Sequence, residues 1–208
     1  MTHSLHRQGT EEGLSNDYVV FAMAATGIND MGAEEKLREF LSIALRHGPV
    51  NLGDMKTGNV HCVEVEEILG HIQDSSIVHA VFSQSEAVAR VLAEVKEAHL
   101  GISVIVSGLF PMVEECCHRA GLKSHTVEHS LGVWGDARRL PNREVLELST
   151  MCGHGMVSFN LVKEAIEDVR LGRSSVKEAA LKLAKPCVCG IFNPQRAEEL
   201  LEALSQMP

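Results

Sequence analysis

The sequence predicts an α/β fold, a parallel sheet built from β-α-β units with a small C-terminal helical module. Short continuous apolar runs, bounded by glycine and polar residues, are typical of strands that are buried on both faces. Longer stretches in which apolar residues recur at helical spacing separate these runs. Strands that alternate with helices in this way form parallel sheets with right-handed crossovers.

The chain of 208 residues divides into three predicted parts. Residues 1–17 form an irregular lead-in, residues 18–135 the α/β domain, and residues 136–208 a strand plus helices. A cluster of Gly, Asp, Arg and Pro near residues 135–142 marks the boundary between the last two parts. Because 45% of the residues are hydrophobic and only 4% are aromatic, the core is expected to be mainly aliphatic.

The elements of the α/β domain follow from the position of the apolar runs and of the glycines that end them. Continuous apolar runs predict strands at residues 18–25, 77–82 and 102–106, and residues 123–131 are predicted as one more strand. Helical periodicity predicts helices at residues 33–47, 62–72, 83–99 and 110–120. Three of these helices are expected to end near a glycine, namely Gly48, Gly101 and Gly121. The segment 49–61, which contains a proline and two glycines, is predicted as a loop.

The C-terminal part is predicted to be mostly helical. A strand at residues 145–150 leads into helices at 158–171, 174–183 and 194–204. Ser175 and Glu178 have the spacing of a capping box at the start of the second of these helices. Pro194 suits the first turn of the third, where no backbone N–H is needed.

Two short motifs in this part carry the most specific chemistry in the sequence. Cys152-Gly153-His154-Gly155 and Cys187-Val188-Cys189-Gly190 each place two metal-binding side chains one residue apart, just before a helix. If the two turns meet, they supply Cys3His, a complete shell for structural zinc or three thiolates for an iron–sulfur cluster. The predicted metal ligands are Cys152, His154, Cys187 and Cys189.

The one-residue spacing leaves other interpretations open. Zinc sites more often use C-x2-4-C, and common ferredoxin runs use C-x2-C-x2-C. A thiol-based redox role, or two glycine turns with buried cysteines and a capping histidine, is also compatible with the motifs. The sequence does not distinguish zinc from an iron–sulfur cluster. It predicts a metal- or iron–sulfur-binding protein, with an oxidoreductase or its accessory protein as one form of that function.

The two motifs also carry a resemblance to a known pattern. The blocks 151–158 and 186–194 resemble a C-terminal CGHG…CVCG pattern in a protein family of anaerobic microbes that has no established function. The resemblance covers about a quarter of the chain. It implies iron–sulfur or other oxygen-sensitive chemistry.

Two further histidines are predicted to face a substrate. His125 and His129 differ by four positions, so they share one face of a strand and also of a helix. They lie where the predicted sheet gives way to the tail, and we predict a catalytic role for them. His3 and His6 belong to the lead-in, which can fold over a site and lend a ligand.

The runner-up function is that of a small-molecule or nucleotide-binding α/β protein in which the Cys/His turns are structural. In a parallel sheet, ligands bind beyond the carboxyl ends of the strands. Thr26, Gly27, Ser107 and Gly108 follow two of the predicted strands and are the predicted cofactor-binding residues. The sequence has neither the GxGxxG nor the GK[ST] pattern, so a plain turn is the competing interpretation.

The net charge, the lack of a long apolar segment and the polar N-terminal sequence restrict the partners that we expect for this protein. A net charge of −9, from 28 acidic and 19 basic residues, disfavours a nucleic-acid partner because phosphates require a basic face. No segment is apolar over the length that a membrane span needs, and the polar start does not resemble a signal peptide. We therefore expect a cytoplasmic protein with reduced thiols, a small-molecule substrate or a redox partner, no membrane partner, and a homo-oligomer as one permitted state.

Overall fold

The structure is a computed structural model, and it describes residues 4–206. Its sheet has five strands, all paired antiparallel, in the order β3-β2-β4-β1-β5. The strands are β1 (Tyr18–Met23), β2 (Asn51–Asp54), β3 (Gly58–Asn59), β4 (Ile77–Phe82) and β5 (Ser103–Ser107). β1 lies at the centre and pairs with both β4 and β5.

The predicted parallel sheet is therefore wrong. The crossover β4-helix-β5 exists, but β1 lies between its two strands and runs opposite to both. The connection is a split β-α-β unit of the ferredoxin-like kind. Continuous apolar runs report burial on both faces, and an antiparallel sheet covered on both faces produces the same runs as a parallel one.

The helices agree with the prediction in the α/β domain and in the tail, except near residue 145. They are α1 (Glu11–Ser15), α2 (Ala33–Arg46), α3 (Val65–Gly70), α4 (Ser85–Ala98), α5 (Phe110–Arg119), α6 (Arg143–Ser149), α7 (Phe159–Arg170), α8 (Val176–Ala184) and α9 (Pro194–Ser205). The capping box at Ser175 and Glu178 is confirmed, and so is Pro194 in the first turn of α9. A short 3-10 turn at Ala137–Arg139 precedes α6.

Three predicted segments have a different structure. Residues 145–149 belong to helix α6, which ends at its C-cap Thr150, and not to a strand. Val145 and Leu148 both reach the core at helical spacing, and Asn142 caps the start of the helix. Residues 122–136 contain no strand or helix, so the predicted strand at 123–131 is absent. The predicted loop at 49–61 instead contains β2 and β3. The lead-in, predicted as irregular, contains α1.

Helices cover both faces of the sheet. Alternate residues of β1 point to opposite faces, with Tyr18 and Val20 in one core cluster and Val19 and Phe21 in the other. The first cluster is completed by α2, α4 and α5, and the second by α6 to α9. The C-terminal helices thus form the second layer on the sheet, and β1 contributes to both layers. Over residues 4–206, no helix is both long enough and apolar enough to span a membrane.

Candidate functional site

The two cysteine turns are built alike. The first lies between α6 and α7 and the second between α8 and α9, so each precedes a helix as predicted. In each turn the final glycine donates its N–H to the carbonyl of the first cysteine, at 3.1 Å for Gly155 to Cys152 and 2.9 Å for Gly190 to Cys187. Both glycines have positive φ, +70° and +77°, which only glycine adopts without strain.

The four predicted ligands come into contact in the second core cluster. The three cysteine side chains are buried, and hydrogen bonds link Cys152 to Cys187 and Cys187 to Cys189. The Sγ atom of Cys189 lies 3.6 Å from Nδ1 of His154. A continuous chain of contacts therefore joins the four side chains, which we call the cysteine cluster: Cys152, Cys187, Cys189 and His154.

The thiol pKa values show where a negative charge is best held. A hydrogen bond from Cys187 lowers the pKa of Cys189 below its usual range despite burial. The hydrogen bond that Cys187 accepts from Cys152 lowers the pKa of Cys187. The hydrogen bond that Cys187 donates to Cys189 and the burial of its thiol have the opposite effect, and together they raise the pKa of Cys187 to about 12. Donation to Cys187 and burial raise the pKa of Cys152 well above its usual range. Of the three thiols, that of Cys189, beside His154, therefore loses its proton most readily.

This order gives a prediction about thiol reactivity in metal-free protein. We expect iodoacetamide to label Cys189 faster than Cys187 or Cys152 by about tenfold or more, because each pKa unit changes the thiolate fraction tenfold. Labelling of Cys189 should reach its plateau at lower pH than an ordinary thiol, since its pKa is lowered. Peptide mass spectrometry at several pH values measures all three sites. Exposed Cys62 serves as the internal standard for the reagent, and faster labelling of Cys152 or Cys187 would contradict the order.

The second turn rests directly on the backbone of the β2–β3 hairpin. A Cβ atom on Gly190 would lie 2.7 Å from the backbone nitrogen of Gly53, and one on Gly53 would lie 2.9 Å from the carbonyl oxygen of Cys189. Both positions therefore need glycine for this close approach. The buried amide of Asn59 donates to the carbonyl of Cys187 at 2.9 Å, and that of Asn51 donates to the carbonyl of Phe192 at 2.8 Å. These contacts fix the turn to the sheet.

A buried polar network lies behind the second turn. Asp17 is fully buried and forms ion pairs with Arg196, at 2.8 Å, and with Arg7. Asn193 donates to Asp17 at 3.1 Å, and its side-chain oxygen caps α9 by accepting from the N–H of Arg196 at 3.0 Å. The network joins the start of β1 to the start of α9. It also reaches the N-terminal arm, which we define as residues 4–10.

A cleft of about 370 Å³ opens beside the first turn. Its walls are the end of α6, the first cysteine turn with Cys152, the start of α7 with Ser158, and His6 of the arm. The Nδ1 atom of His6 lies 3.1 Å from the hydroxyl of Ser130. The arm thus reaches the site, as the sequence suggested for His6, whereas His3 lies outside the described residues.

The other predicted residues do not join this site. His125 contacts the hydroxyl of Thr126 at 2.8 Å, and the ring of His129 packs edge-on against Phe110 with centroids 6.5 Å apart. Both histidines are exposed on the irregular segment 122–136, and not on a strand of the sheet. Their predicted catalytic role stays a prediction.

The predicted cofactor-binding residues are separated by the antiparallel sheet. Met23, at the end of β1, pairs with Ser103 at the start of β5, and Val19 pairs with Ser107. Thr26 and Gly27 therefore follow β1 at one end of the sheet, while the Ser107–Gly108 turn lies at the other. The four residues therefore do not form one binding site, because such a site required the carboxyl ends of β1 and β5 to lie at the same edge of the sheet.

Sequence reasoning missed the residues that hold the cluster in place. Asn51 and Asn59 lie in a segment that reads as a glycine-rich loop, and Arg7 in a polar lead-in. It also missed His79, which is fully buried in β4 on the face of the sheet that carries Phe21, with the two rings 5.5 Å apart. A histidine inside an apolar strand is a usable signal; the two asparagines offered none.

The side chains of the cysteine cluster are not arranged around a common point, as the ligands of a metal ion would be. Over residues 4–206, no group of three or more His, Cys, Asp or Glu side chains is arranged so that it could hold a metal ion. The cysteine cluster is a hydrogen-bonded chain of thiols ending at a histidine. No protein-family model, no curated protein and no solved structure matches this chain.

Proposed function

We propose that the cysteine cluster binds a thiophilic metal ion, with zinc as the best fit. A tetrahedral zinc ion with a Zn–S bond of about 2.3 Å and a Zn–N bond of about 2.0–2.1 Å holds sulfur and nitrogen about 3.6 Å apart. The Sγ of Cys189 and Nδ1 of His154 are 3.6 Å apart. This separation is the observation that carries the proposal, because it equals one edge of the expected coordination tetrahedron.

The contacts between the thiols favour a single ion over a cluster. The thiols of Cys152, Cys187 and Cys189 shift one another's pKa directly, as neighbouring ligands of one ion would. An iron–sulfur cluster places several iron and sulfide atoms between its cysteines, so the thiols would have to move further apart. With Cys3His the zinc shell is closed, and the expected role is to join the two turns and thereby the C-terminal helices to the sheet.

Binding requires a change at the cluster. Cysteine binds metals as the thiolate, so the protons shared between the three thiols must leave, and affinity should increase with pH. The Cys189 thiolate, whose pKa is lowered by Cys187, is the natural first ligand. The side chains must then leave their chain of contacts and turn toward the ion.

Metal analysis of protein purified without chelator tests the proposal. We expect stoichiometric zinc, loss of zinc in the Cys187→Ser, Cys189→Ser double variant, and retention in Cys62→Ser, whose thiol is exposed and outside the cluster. Added Co²⁺ should give the intense visible spectrum of a tetrahedral thiolate site. If neither Zn²⁺ nor Co²⁺ binds in wild-type protein, the proposal fails. Iron with sulfide and a visible chromophore after anaerobic purification would replace zinc with a cluster and support an oxidoreductase.

The second candidate is binding of a small molecule in the cleft beside Cys152. The cleft favours it because its wall includes Ser158, His6 and the first cysteine turn, so a bound ligand would lie next to the cluster. Under this alternative the cysteine cluster is structural. A Phe159→Trp variant, in the cleft wall, would report ligands by fluorescence, and the same ligands should bind the Cys187→Ser, Cys189→Ser variant equally well.

A further inference from the structure

The N-terminal arm lies along both cysteine turns. The side chain of Arg7 is only 6% exposed, and its Nη2 donates to the carbonyl of Met151, at 3.4 Å, and to the carbonyl of Ile191. Met151 directly precedes Cys152, and Ile191 follows Cys189 by two residues. One guanidinium nitrogen therefore bonds the carbonyl just before the first turn and the carbonyl just after the second.

The arm is held in this place from both sides. The Nη1 atom of Arg7 forms an ion pair with Asp17. The N–H of Gln8 donates to the hydroxyl of Thr150 at 3.0 Å, and Arg196 donates to the carbonyl of Gln8 at 2.7 Å. Arg7 and Gln8 are thus fixed by contacts just before β1, just after α6 and in α9, and the position of Arg7 relative to the turns is set by packed elements.

We propose that Arg7 is a positioning residue for the cysteine cluster. The turns belong to different helix junctions, and contacts between them must set the separation of Cys152 from Cys187 and Cys189. A guanidinium has five N–H donors in a rigid fork, so it can bond both turns and Asp17 together. A lysine ammonium is a single point on a flexible stem and cannot reproduce this arrangement.

Metal affinity gives the first test, and this readout rests on the proposed function. Outer partners that orient metal ligands change affinity by about 10–100-fold when they are removed. We expect Arg7→Met to weaken Co²⁺ binding by about tenfold or more. The matched control is Arg143→Met, which removes an exposed arginine from the helix that leads into the first turn. It should bind Co²⁺ like wild type.

A metal-free readout tests the positioning alone. With diamide as oxidant, two thiols form a disulfide while their two electrons and two protons reduce diamide to the hydrazine. A Cys152–Cys187 disulfide requires the two turns to meet, whereas a Cys187–Cys189 disulfide forms within one turn. We expect Arg7→Met to lower the ratio of the Cys152–Cys187 disulfide to the Cys187–Cys189 disulfide, as measured by peptide mass spectrometry, because the two turns no longer share a guanidinium.

Controls separate positioning from loss of stability. Leu37→Ala weakens the core on the opposite face of the sheet, and it should leave the disulfide ratio unchanged. A folded Arg7→Met protein with the wild-type ratio would overturn the inference. If Arg7→Met does not fold, the disulfide ratio is measured in Arg7→Lys instead. A wild-type ratio in that variant would also overturn the inference. If wild-type protein binds no metal while the ratio responds to Arg7, the proposed function fails and the positioning role stands.

Discussion

Replacing Gly190 with alanine should destabilise the protein by about 2–5 kcal/mol. The new Cβ would lie 2.7 Å from both the nitrogen of Gly53 and the carbonyl carbon of Leu52, which are backbone atoms of β2 and cannot rotate away. A left-handed backbone costs a residue with a Cβ about 1–2 kcal/mol, and displacing packed atoms adds about 1–3 kcal/mol. Urea unfolding of the metal-free protein measures the sum.

The first turn supplies a matched control for this prediction. Gly155 occupies the equivalent position, with a φ of +70° against +77°, but a Cβ there would meet no atom within 4 Å. Gly155→Ala should therefore cost only the left-handed strain, about 1–2 kcal/mol. Equal losses for the two variants would contradict a close contact between the second turn and β2. A larger loss for Gly190→Ala, together with faster labelling of Cys187, would locate the damage at that contact.

The comparison of the two glycines shows which features of this protein can be predicted from short stretches of its sequence. The sequence marks both turns as Cys/His pairs followed by glycine, and it places both before helices, as the structure has them. It does not show that Gly190 lies against β2 and Gly155 lies in open space, because that difference depends on residues more than a hundred positions away. The convergence of the two turns was a reasonable expectation, but the way they are supported was not predictable.

The direction of the strands was hidden for a related reason. The helices were predictable from local signals, such as the capping box at Ser175 and the proline at the start of α9. The order of the strands depends instead on which apolar segment, distant in the sequence, pairs between β4 and β5. The segments that form β1, β4 and β5 are all apolar, because helices cover both faces of the sheet, so their composition does not reveal the order. The C-terminal helices, predicted as an appended module, provide the second cover and so create the pattern that resembled a parallel sheet.

The neighbours of the cysteine cluster in the observed antiparallel fold differ from those that a parallel sheet would have provided. A parallel sheet would have placed Thr26 and Ser107 at one functional edge, with the tail beside it. In the observed sheet the second turn lies on the β2–β3 hairpin, and the first borders a cleft that includes His6. The chemistry-bearing residues are thus held between the sheet, the tail and the arm, so the site depends on long-range contacts from all three.

Those long-range contacts lead to the second large effect, which concerns Asp17. Asp17→Asn removes the negative charge between two buried guanidinium groups, Arg7 and Arg196, while keeping the size of the side chain. Breaking a buried ion pair by neutralising one partner typically costs about 3–5 kcal/mol, because the remaining charges stay buried without compensation. We expect a loss of this size in urea unfolding. The arm should also loosen, because Arg7 loses the anchor that holds it between the cysteine turns.

An exposed pair provides the control for that prediction. Asp136→Asn removes the partner of Arg138 on the surface, where solvent screens the interaction, and it should leave the unfolding curve close to wild type. Combining Asp17→Asn with Arg7→Met tests the network itself, since the double variant leaves one buried guanidinium without a counter-charge, whereas Asp17→Asn alone leaves two. We therefore expect the double variant to lose less than the sum of the single losses, a coupling that only residues in one network show. Strict additivity would mean that Arg7 and Asp17 act separately, and that the arm is not held over the cysteine turns by this ion pair.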